Sequence, residues 1–156
     1  MDAFSLLKQD HQRIAALFEQ FEAVRGDDKI LLAGRICQLL TIHARIEEDL
    51  FYPAARGVLS IDDDALVNEA TVEHTCMGAL VAAIASTGLP DDFFNSRVTV
   101  LGRYVAQHVK EEEDKLFPLL ENTEIDFAAL GEALSTRKSE LMTELGVPAD
   151  DAVTAG

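Results

Sequence analysis

The sequence predicts an all-α protein: an up-down-up-down four-helix bundle with one additional C-terminal helix. Apolar residues recur every three to four positions in five segments, which is the period of an amphipathic helix. Proline and glycine lie mainly near the ends of those segments, and this placement favours helices over strands. With 156 residues, the chain has the usual size of a single domain built around one core.

The first two helices share one irregularity in their apolar stripes. The first helix is predicted to end near Gly26, and its stripe consists of Phe4, Leu7, Ile14, Phe18 and Phe21. The second helix begins at Asp27 or Asp28, and its stripe consists of Leu32, Ile36, Leu39, Ile46 and Leu50. In each stripe one inward position is polar, and the residues there are His11 and His43.

The third and fourth helices show the same pattern. The IDDD segment is predicted to cap the third helix, whose stripe consists of Val67, Ala70, Met77, Val81 and Ile84. This helix stops at Gly88 and Pro90, and His74 fills its missing apolar step. A fourth helix follows Asp91 and Asp92, and its inward positions are Phe94, Val98, Leu101, Val105, His108 and Glu112.

A fifth amphipathic segment at about 125–146 is predicted to pack outside the bundle, and its apolar residues are Phe127, Leu130, Leu134, Leu141 and Leu145. Short connections favour antiparallel neighbours, so the stripes of the first four helices face one interior that contains all four histidines of the chain. We therefore expect one domain over residues 1–147, with the bundle at 3–121 and a flexible tail at 148–156.

An internal repeat relates the two halves of the bundle. Residues 43–53 read HARIEEDLFYP and residues 108–118 read HVKEEEDKLFP, so His, Glu, Glu, Asp, an aromatic residue and Pro recur at matching offsets. His11, which follows an aspartate, likewise matches His74, which follows Glu73. We interpret the bundle as two related helical hairpins with approximate two-fold symmetry.

Six side chains of this repeat point to a metal centre. Residues four apart on a helix lie one above the other, so each His-x-x-x-Glu pair presents two ligands on one face. Four imidazoles and two carboxylates are too many for one tetrahedral site, but they suit two metal ions bridged by both carboxylates. Buried carboxylates also need compensating cations. The predicted metal ligands are His11, His43, Glu47, His74, His108 and Glu112.

Other polar residues near the stripes are weaker candidates. Tyr104, one turn before His108, is either a hydrogen-bond donor or redox group beside the metals or a core tyrosine. Glu73 borders the inward face, so it either lines a route to the metals or faces solvent. Among the neighbouring acids only Glu111 comes near the inward face, and those expected to be solvated are Glu48, Asp49, Glu113 and Asp114.

Charge and composition argue against other classes of function. The formal net charge of −15 repels phosphate, so nucleic acid is not an expected partner. The chain starts with no apolar run long enough for a signal peptide, and no segment approaches the length of a membrane span. A cytoplasmic protein with no membrane partner is expected. Cys37 and Cys76 lack disulfide or zinc spacing and are predicted to be small buried residues.

At these residues the sequence resembles the hemerythrin-like HHE cation-binding family, whose pattern is an isolated His, a His-x-x-x-Glu, a second isolated His and another His-x-x-x-Glu. The resemblance covers about residues 3–121. It implies that the six residues above hold two non-haem iron ions, oxo- or hydroxo-bridged, with Glu47 and Glu112 bridging them. Manganese and zinc also remain compatible with these ligands.

The third helix departs from the pattern of oxygen-carrying hemerythrins. Those proteins have a second histidine one turn from the third-helix ligand, but the positions flanking His74 by four are Ala70 and Gly78. The resemblance is therefore nearer to bacterial proteins that repair iron centres damaged by nitric oxide. Those proteins also carry a cysteine-containing amino-terminal domain, whereas this chain starts at its first bundle helix.

The expected function is that of a di-iron protein that binds or turns over dioxygen, nitric oxide or hydrogen peroxide. An enzymatic version is a di-iron oxidoreductase of the peroxidase, catalase or nitric oxide reductase type. One alternative is an iron- or oxygen-sensing module whose stability is read by a protein partner, and another is an iron-centre repair protein under nitrosative stress. A third is a metal-free interaction domain in which each histidine is a satisfied core residue.

Overall fold

Five helices account for the secondary structure of residues 1–86 and 90–148, which are the residues that the computed structural model describes. No strand occurs in these ranges, so the predicted all-α bundle with an additional C-terminal helix is confirmed. The predicted helix stop at Gly88 and most of the predicted tail, residues 149–156, lie outside the described residues. The five helices are α1 (Ala3–Ala23), α2 (Asp27–Ile46, continued by Glu47–Phe51 and Tyr52–Arg56), α3 (Ile61–Ala85), α4 (Phe94–Glu111, continued by Glu112–Leu116 and Phe117–Leu120) and α5 (Phe127–Glu144).

Local capping explains where α3 begins. Ser60, not a residue of the IDDD segment, has the extended backbone of an N-cap, and its side chain accepts a hydrogen bond from the Asp63 N–H. The three aspartates instead occupy the first turn of α3. Their negative charge there interacts favourably with the positive end of the helix dipole. The sequence thus located the start of α3 correctly but assigned its cap to the wrong residue.

The additional helix α5 packs outside the bundle, as predicted, and the structure places it against α1. The Phe127 ring stacks on Phe4 with ring centroids 4.6 Å apart. Gly131 lies so close to the N-terminus that a Cβ added there would be 2.3 Å from the carbonyl oxygen of Met1. A side chain at this position would force α5 away from α1. Leu145, predicted to lie on the apolar stripe, is 44% exposed because it follows the last turn of the helix.

Each half of the bundle contains one π-helical stretch, Glu47–Phe51 in α2 and Glu112–Leu116 in α4. The Tyr52 N–H donates to the carbonyl oxygen of Glu47, five residues earlier, and the matching bond joins Phe117 to Glu112. The next residue in each helix is a proline, which lacks an N–H and crowds the carbonyl four residues before it. The wider π-helical turn relieves the crowding between the proline ring and that carbonyl. It also turns Tyr52 and Phe117, which follow Glu47 and Glu112 by five residues, toward the interior.

The two cysteines lie in different environments. Cys37 is buried as predicted, but the prediction for Cys76 is wrong because its side chain is exposed. Cys76 follows His74 by two positions and therefore lies on the opposite side of α3 from the inward stripe.

Within the described residues, none of the helices combines the length and the apolarity that crossing a membrane requires.

Candidate metal centre

All six predicted ligand side chains converge in the middle of the bundle and are almost inaccessible to solvent. Their atoms form two overlapping groups that share Glu47, and within each group the nearest ligand atoms lie within 4.8 Å of one another. One group contains four residues, His11, His43, Glu47 and Glu112. The other contains Glu47, His74 and His108. The exposed fraction of these residues is between 0% and 7%.

The histidines form two pairs, one in each half of the repeat. The Nε2 atoms of His11 and His43 are 3.1 Å apart, and those of His74 and His108 are 3.2 Å apart. Each pair therefore presents two ring nitrogens to one small volume, with every ring anchored on a different helix. Paired imidazoles at this distance are suited to binding one metal ion per pair.

The two glutamates lie between the histidine pairs. Glu112 places Oε1 3.3 Å from His11 Nε2 and Oε2 3.4 Å from His108 Nε2. Glu47 places Oε1 3.3 Å from His43 Nε2 and 3.2 Å from His74 Nε2. Each carboxylate thus contacts one histidine of each half, which is the placement required of a bridging ligand.

Unsatisfied polar atoms show that a cation fits this cluster. Glu47 Oε2 and Glu112 Oε1 are buried without a hydrogen-bond partner. Leaving a buried carboxylate oxygen unpaired costs about 1–3 kcal/mol or more. A pair of cations between the histidines would satisfy both oxygens and compensate both charges. The set of nitrogen and oxygen donors suits iron, manganese or zinc.

Acidic side chains hold the outer nitrogens of three of the four imidazoles. Such contacts fix the orientation of each ring and strengthen its inner nitrogen as a ligand. The expectation that Glu113 is solvated is wrong, because its Oε2 is 2.6 Å from His11 Nδ1. Glu73 holds the His108 ring and does not simply face solvent. The outer nitrogens and their nearest carboxylates are His11 with Glu113 at 2.6 Å, His43 with Asp10 at 3.1 Å, His108 with Glu73 at 2.9 Å and His74 with Glu48 at 3.6 Å.

The tyrosine beside the cluster is Tyr52, not Tyr104. Tyr104 is 53% exposed, so neither predicted role for it is supported: it lies at the edge of the inward stripe and turns to solvent. The buried Tyr52 hydroxyl donates to Glu112 Oε2 at 2.8 Å and lies 3.2 Å from His74 Nε2. The matching residue of the other half is Phe117, so this hydroxyl occurs in one half of the repeat.

Charges within the cluster shift several pKa values in the metal-free protein. Burial alone lowers the pKa of His43, but the charge of Glu47 and hydrogen bonds to Asp10 and Glu47 raise it to about 10. Burial also lowers the pKa of His108, whereas hydrogen bonds to Glu112 and Glu47 raise it to about 11. Burial raises the pKa of Glu47, but the His43 charge and the hydrogen bonds with Glu112, His108 and His43 together outweigh it, so the pKa falls well below its usual value. In the absence of metal, protonated His43 and His108 therefore supply the compensating charge, while Glu47 Oε2 and Glu112 Oε1 still have no hydrogen-bond partner.

Helix α5 contributes a cation that the sequence did not reveal. The Lys138 ammonium donates to Oδ1 of Asp10, whose other oxygen contacts His43. Burial raises the pKa of Asp10, but His43 and Lys138 lower it more, so the aspartate is charged. Arg137 adds a second link from α5, to Asp49 at 3.1 Å.

Replacing Lys138 by methionine is therefore expected to weaken metal retention, because Asp10 would lose the partner that fixes it against His43. The expected effect is about tenfold faster metal loss to a chelator, the lower end of the range for outer partners of ligands. Lys110→Met is the matched control, since Lys110 pairs with Asp114 on the surface. Lys138→Arg should restore the slow release of metal to the chelator, because the arginine can also pair with Asp10. Equal rates of release from Lys138→Met and Lys110→Met would contradict the assignment.

Comparisons with known proteins agree with this geometry. The family model of the Hemerythrin HHE cation binding domain matches residues 2–120. A DNA nickase from Nostoc sp. (strain PCC 7120) is 29% identical over 123 residues, which are 78% of this chain but 34% of that protein, so the chain spans about a third of its length. A Hemerythrin HHE cation binding domain-containing protein from Mycobacterium kansasii shares the fold, with a TM-score of 0.77 and 22% identity over 100% of this chain and 99% of that one. The chain belongs to the hemerythrin HHE cation-binding domain family.

Proposed function

We propose that this protein binds two metal ions, iron in the first place, in the six-residue cluster and there binds or turns over a small oxidant. The candidates are dioxygen, nitric oxide and hydrogen peroxide. The observation that carries the proposal is the pair of overlapping buried ligand groups in which two carboxylate oxygens have no hydrogen-bond partner. A satisfied core of histidines would leave no such oxygens.

A cavity beside the cluster supports the binding of a small molecule. It has a volume of about 240 Å³, lies between α2 and α3, and all four histidines contribute to its lining. Most of its remaining lining is apolar, including Leu40, Val81 and Val105. Small uncharged molecules enter such a space more readily than ions, because an ion would lose its hydration without gaining a partner.

The side chains of the cluster have separable roles in this proposal. The histidines and glutamates hold the ions, which when bound supply the redox and ligand-binding chemistry. Asp10 and Glu113 fix the orientation of His43 and His11. The Tyr52 hydroxyl steadies Glu112, and it stays protonated because burial and the charges of Glu47 and Glu112 raise its pKa well above the usual value.

Loading the protein with iron and with zinc tests the proposal. We expect about two ions per chain for either metal, because each histidine pair can take one. Anaerobic ferrous protein should change its visible spectrum when mixed with air, hydrogen peroxide or nitric oxide. The zinc-loaded protein is the matched control, since zinc has no redox chemistry. Binding of fewer than one ion per chain, or a ferrous protein unaffected by all three oxidants, would refute it.

The contacts of α5 favour one second candidate, a sensor in which metal occupancy is read by a protein partner. Lys138 and Arg137 join α5 to Asp10 and to Asp49 beside the cluster, so loading can alter how firmly α5 is held. A large thermal shift on loading without any turnover would favour the sensor. The DNA nickase relative does not suggest a nucleic-acid partner, because this chain corresponds to about a third of it and has a net charge of −15.

A further inference from the structure

The internal repeat implies two equivalent approaches to the metal cluster. In sequence the repeat pairs α1 with α3 and α2 with α4, so a cavity between α2 and α3 is expected to have a counterpart between α1 and α4. The structure contains both, and matching positions line them: Gly78 and Val81 in the α2–α3 cavity correspond to Ala15 and Phe18 in the α1–α4 cleft. At the rims, Glu48 corresponds to Glu113.

The two approaches differ in how far they reach. All four histidines line the α2–α3 cavity, whereas His11 is the one histidine that lines the α1–α4 cleft. The cleft is the larger of the two, at about 390 Å³ compared with about 240 Å³, but it is also more open to solvent. Its extra volume therefore lies toward the surface and gives no access to the other three imidazoles.

Two side chains account for the difference. Phe18 crosses the cleft to α4, where its ring lies so close to Gly102 that a Cβ added there would be 3.0 Å from a ring carbon. The corresponding residue in the α2–α3 cavity is the smaller Val81. Glu113 adds a second obstruction, because its carboxylate is 2.6 Å from His11 Nδ1, whereas Glu48 remains 3.6 Å from His74 Nδ1.

We propose that small uncharged ligands reach the cluster through the α2–α3 cavity and not through the matching α1–α4 cleft, which Phe18 and Glu113 close. The ligand class follows from the lining: the rim of the cavity carries one cation and one anion, Arg45 and Glu48, while most of the interior is apolar. Anionic oxidants therefore gain no net attraction at the rim and lose hydration inside. The assignment of the ligand as an oxidant rests on the proposed function, but the route itself does not require metal.

Exchanging the two matched residues tests the route. Val81→Phe should block the α2–α3 cavity. Phe18→Val removes a ring from the α1–α4 cleft and should leave the α2–α3 cavity unchanged. In metal-free protein, xenon detected by NMR or in pressurised crystals should bind in the α2–α3 cavity, since apolar cavities take up xenon. Val81→Phe should abolish that binding and Phe18→Val should retain it. If Val81→Phe fails to fold, Gly78→Leu closes the same cavity, because a Cβ there meets no atom within 4 Å.

Kinetics of the iron-loaded protein supply the second arm. We expect Val81→Phe or Gly78→Leu to slow the reaction with nitric oxide by about tenfold or more, since a blocked route limits access to the site. Phe18→Val should react at least as fast as the unaltered protein. Gly34→Leu is the matched control, because Gly34 is another helical glycine whose added Cβ meets nothing within 4 Å. Equal rates for the Val81 and Gly78 variants and the unaltered protein would overturn the route.

The two arms also separate this inference from the proposed function. A protein that takes no metal but loses xenon binding on Val81→Phe would retain the route and refute the di-metal proposal. A protein that binds two ions but reacts equally fast with the α2–α3 cavity blocked would support the di-metal proposal and refute the route.

Discussion

Glu47→Gln is expected to abolish metal binding at both positions, with the metal content falling from about two ions per chain to near zero. Glu47 belongs to both ligand groups, and its Oε1 contacts one histidine of each half. The glutamine keeps the shape of the side chain, but its neutral amide neither compensates a cation nor bridges two of them. Affinity should fall by more than the 10- to 100-fold typical when an outer partner of a ligand is lost, so by more than about 100-fold.

Glu111→Gln is the control for this change. Glu111 precedes the other proposed bridging ligand by one residue, accepts a hydrogen bond from Gln107 and does not belong to either ligand group. Its substitution should leave both ions in place. Elemental analysis and isothermal titration with zinc measure both variants, with circular dichroism to confirm folding. If Glu47→Gln still bound two ions as tightly as Glu111→Gln, the shared carboxylate would not be a ligand.

The bundle and the burial of the four histidines, Glu47 and Glu112 could be predicted because both depend on short-range periodicity. A histidine that replaces one step of an apolar stripe must face the same interior as its neighbours. The repeat then selected Glu112 over Glu111, and the structure buries Glu112 in the cluster.

The sequence failed where the geometry departs from a regular α-helix. Tyr52 follows Glu47 by five residues, which in an α-helix places the two side chains on different faces. The π-helical stretch removes that difference and brings the hydroxyl to Glu112. Both roles predicted for Tyr104 assume that it faces the interior, but its spacing of four residues from His108 places it only at the edge of the apolar stripe, where it is exposed. A proline one residue after an aromatic was the available signal for the wider turn.

The apolar periodicity also could not predict which side chains of different helices contact each other. Nothing in the period of α5 indicates that Lys138 reaches Asp10, because the packing of a fifth helix depends on tertiary contacts such as that between Gly131 and Met1. Glu113 appeared solvated for the same reason: its partner His11 is 102 residues away in the chain. Periodicity assigns a residue to a face but does not identify the partner on the other side.

The metal-free protein should lose stability as the pH rises from about 6.5 to 9, while the metal-loaded protein should not. The pKa values of His43 and His108 in the folded metal-free state are about 10 and about 11, compared with 6.5 for the free side chain. A histidine with a raised pKa contributes its full stabilisation below about pH 6.5, and this contribution decreases as the pH rises toward the folded-state value. The slope is about 1.4 kcal/mol per pH unit for each histidine. The coupled total should be several kcal/mol, equivalent to a Tm at least about 5 °C lower at pH 9.

Bound metal reverses this dependence because it requires the same imidazoles in their neutral form, so binding releases protons and strengthens with pH. The thermal shift produced by zinc should consequently grow between pH 6.5 and 9. Glu47→Gln combined with Glu112→Gln is the control: without the two carboxylates that raise them, the histidine pKa values return toward 6.5 and the slope of the metal-free protein should flatten. Differential scanning calorimetry of both proteins at several pH values measures this. The same slope in both would show that the buried charges of the cluster do not govern stability, and would remove the electrostatic reason for a cation between them.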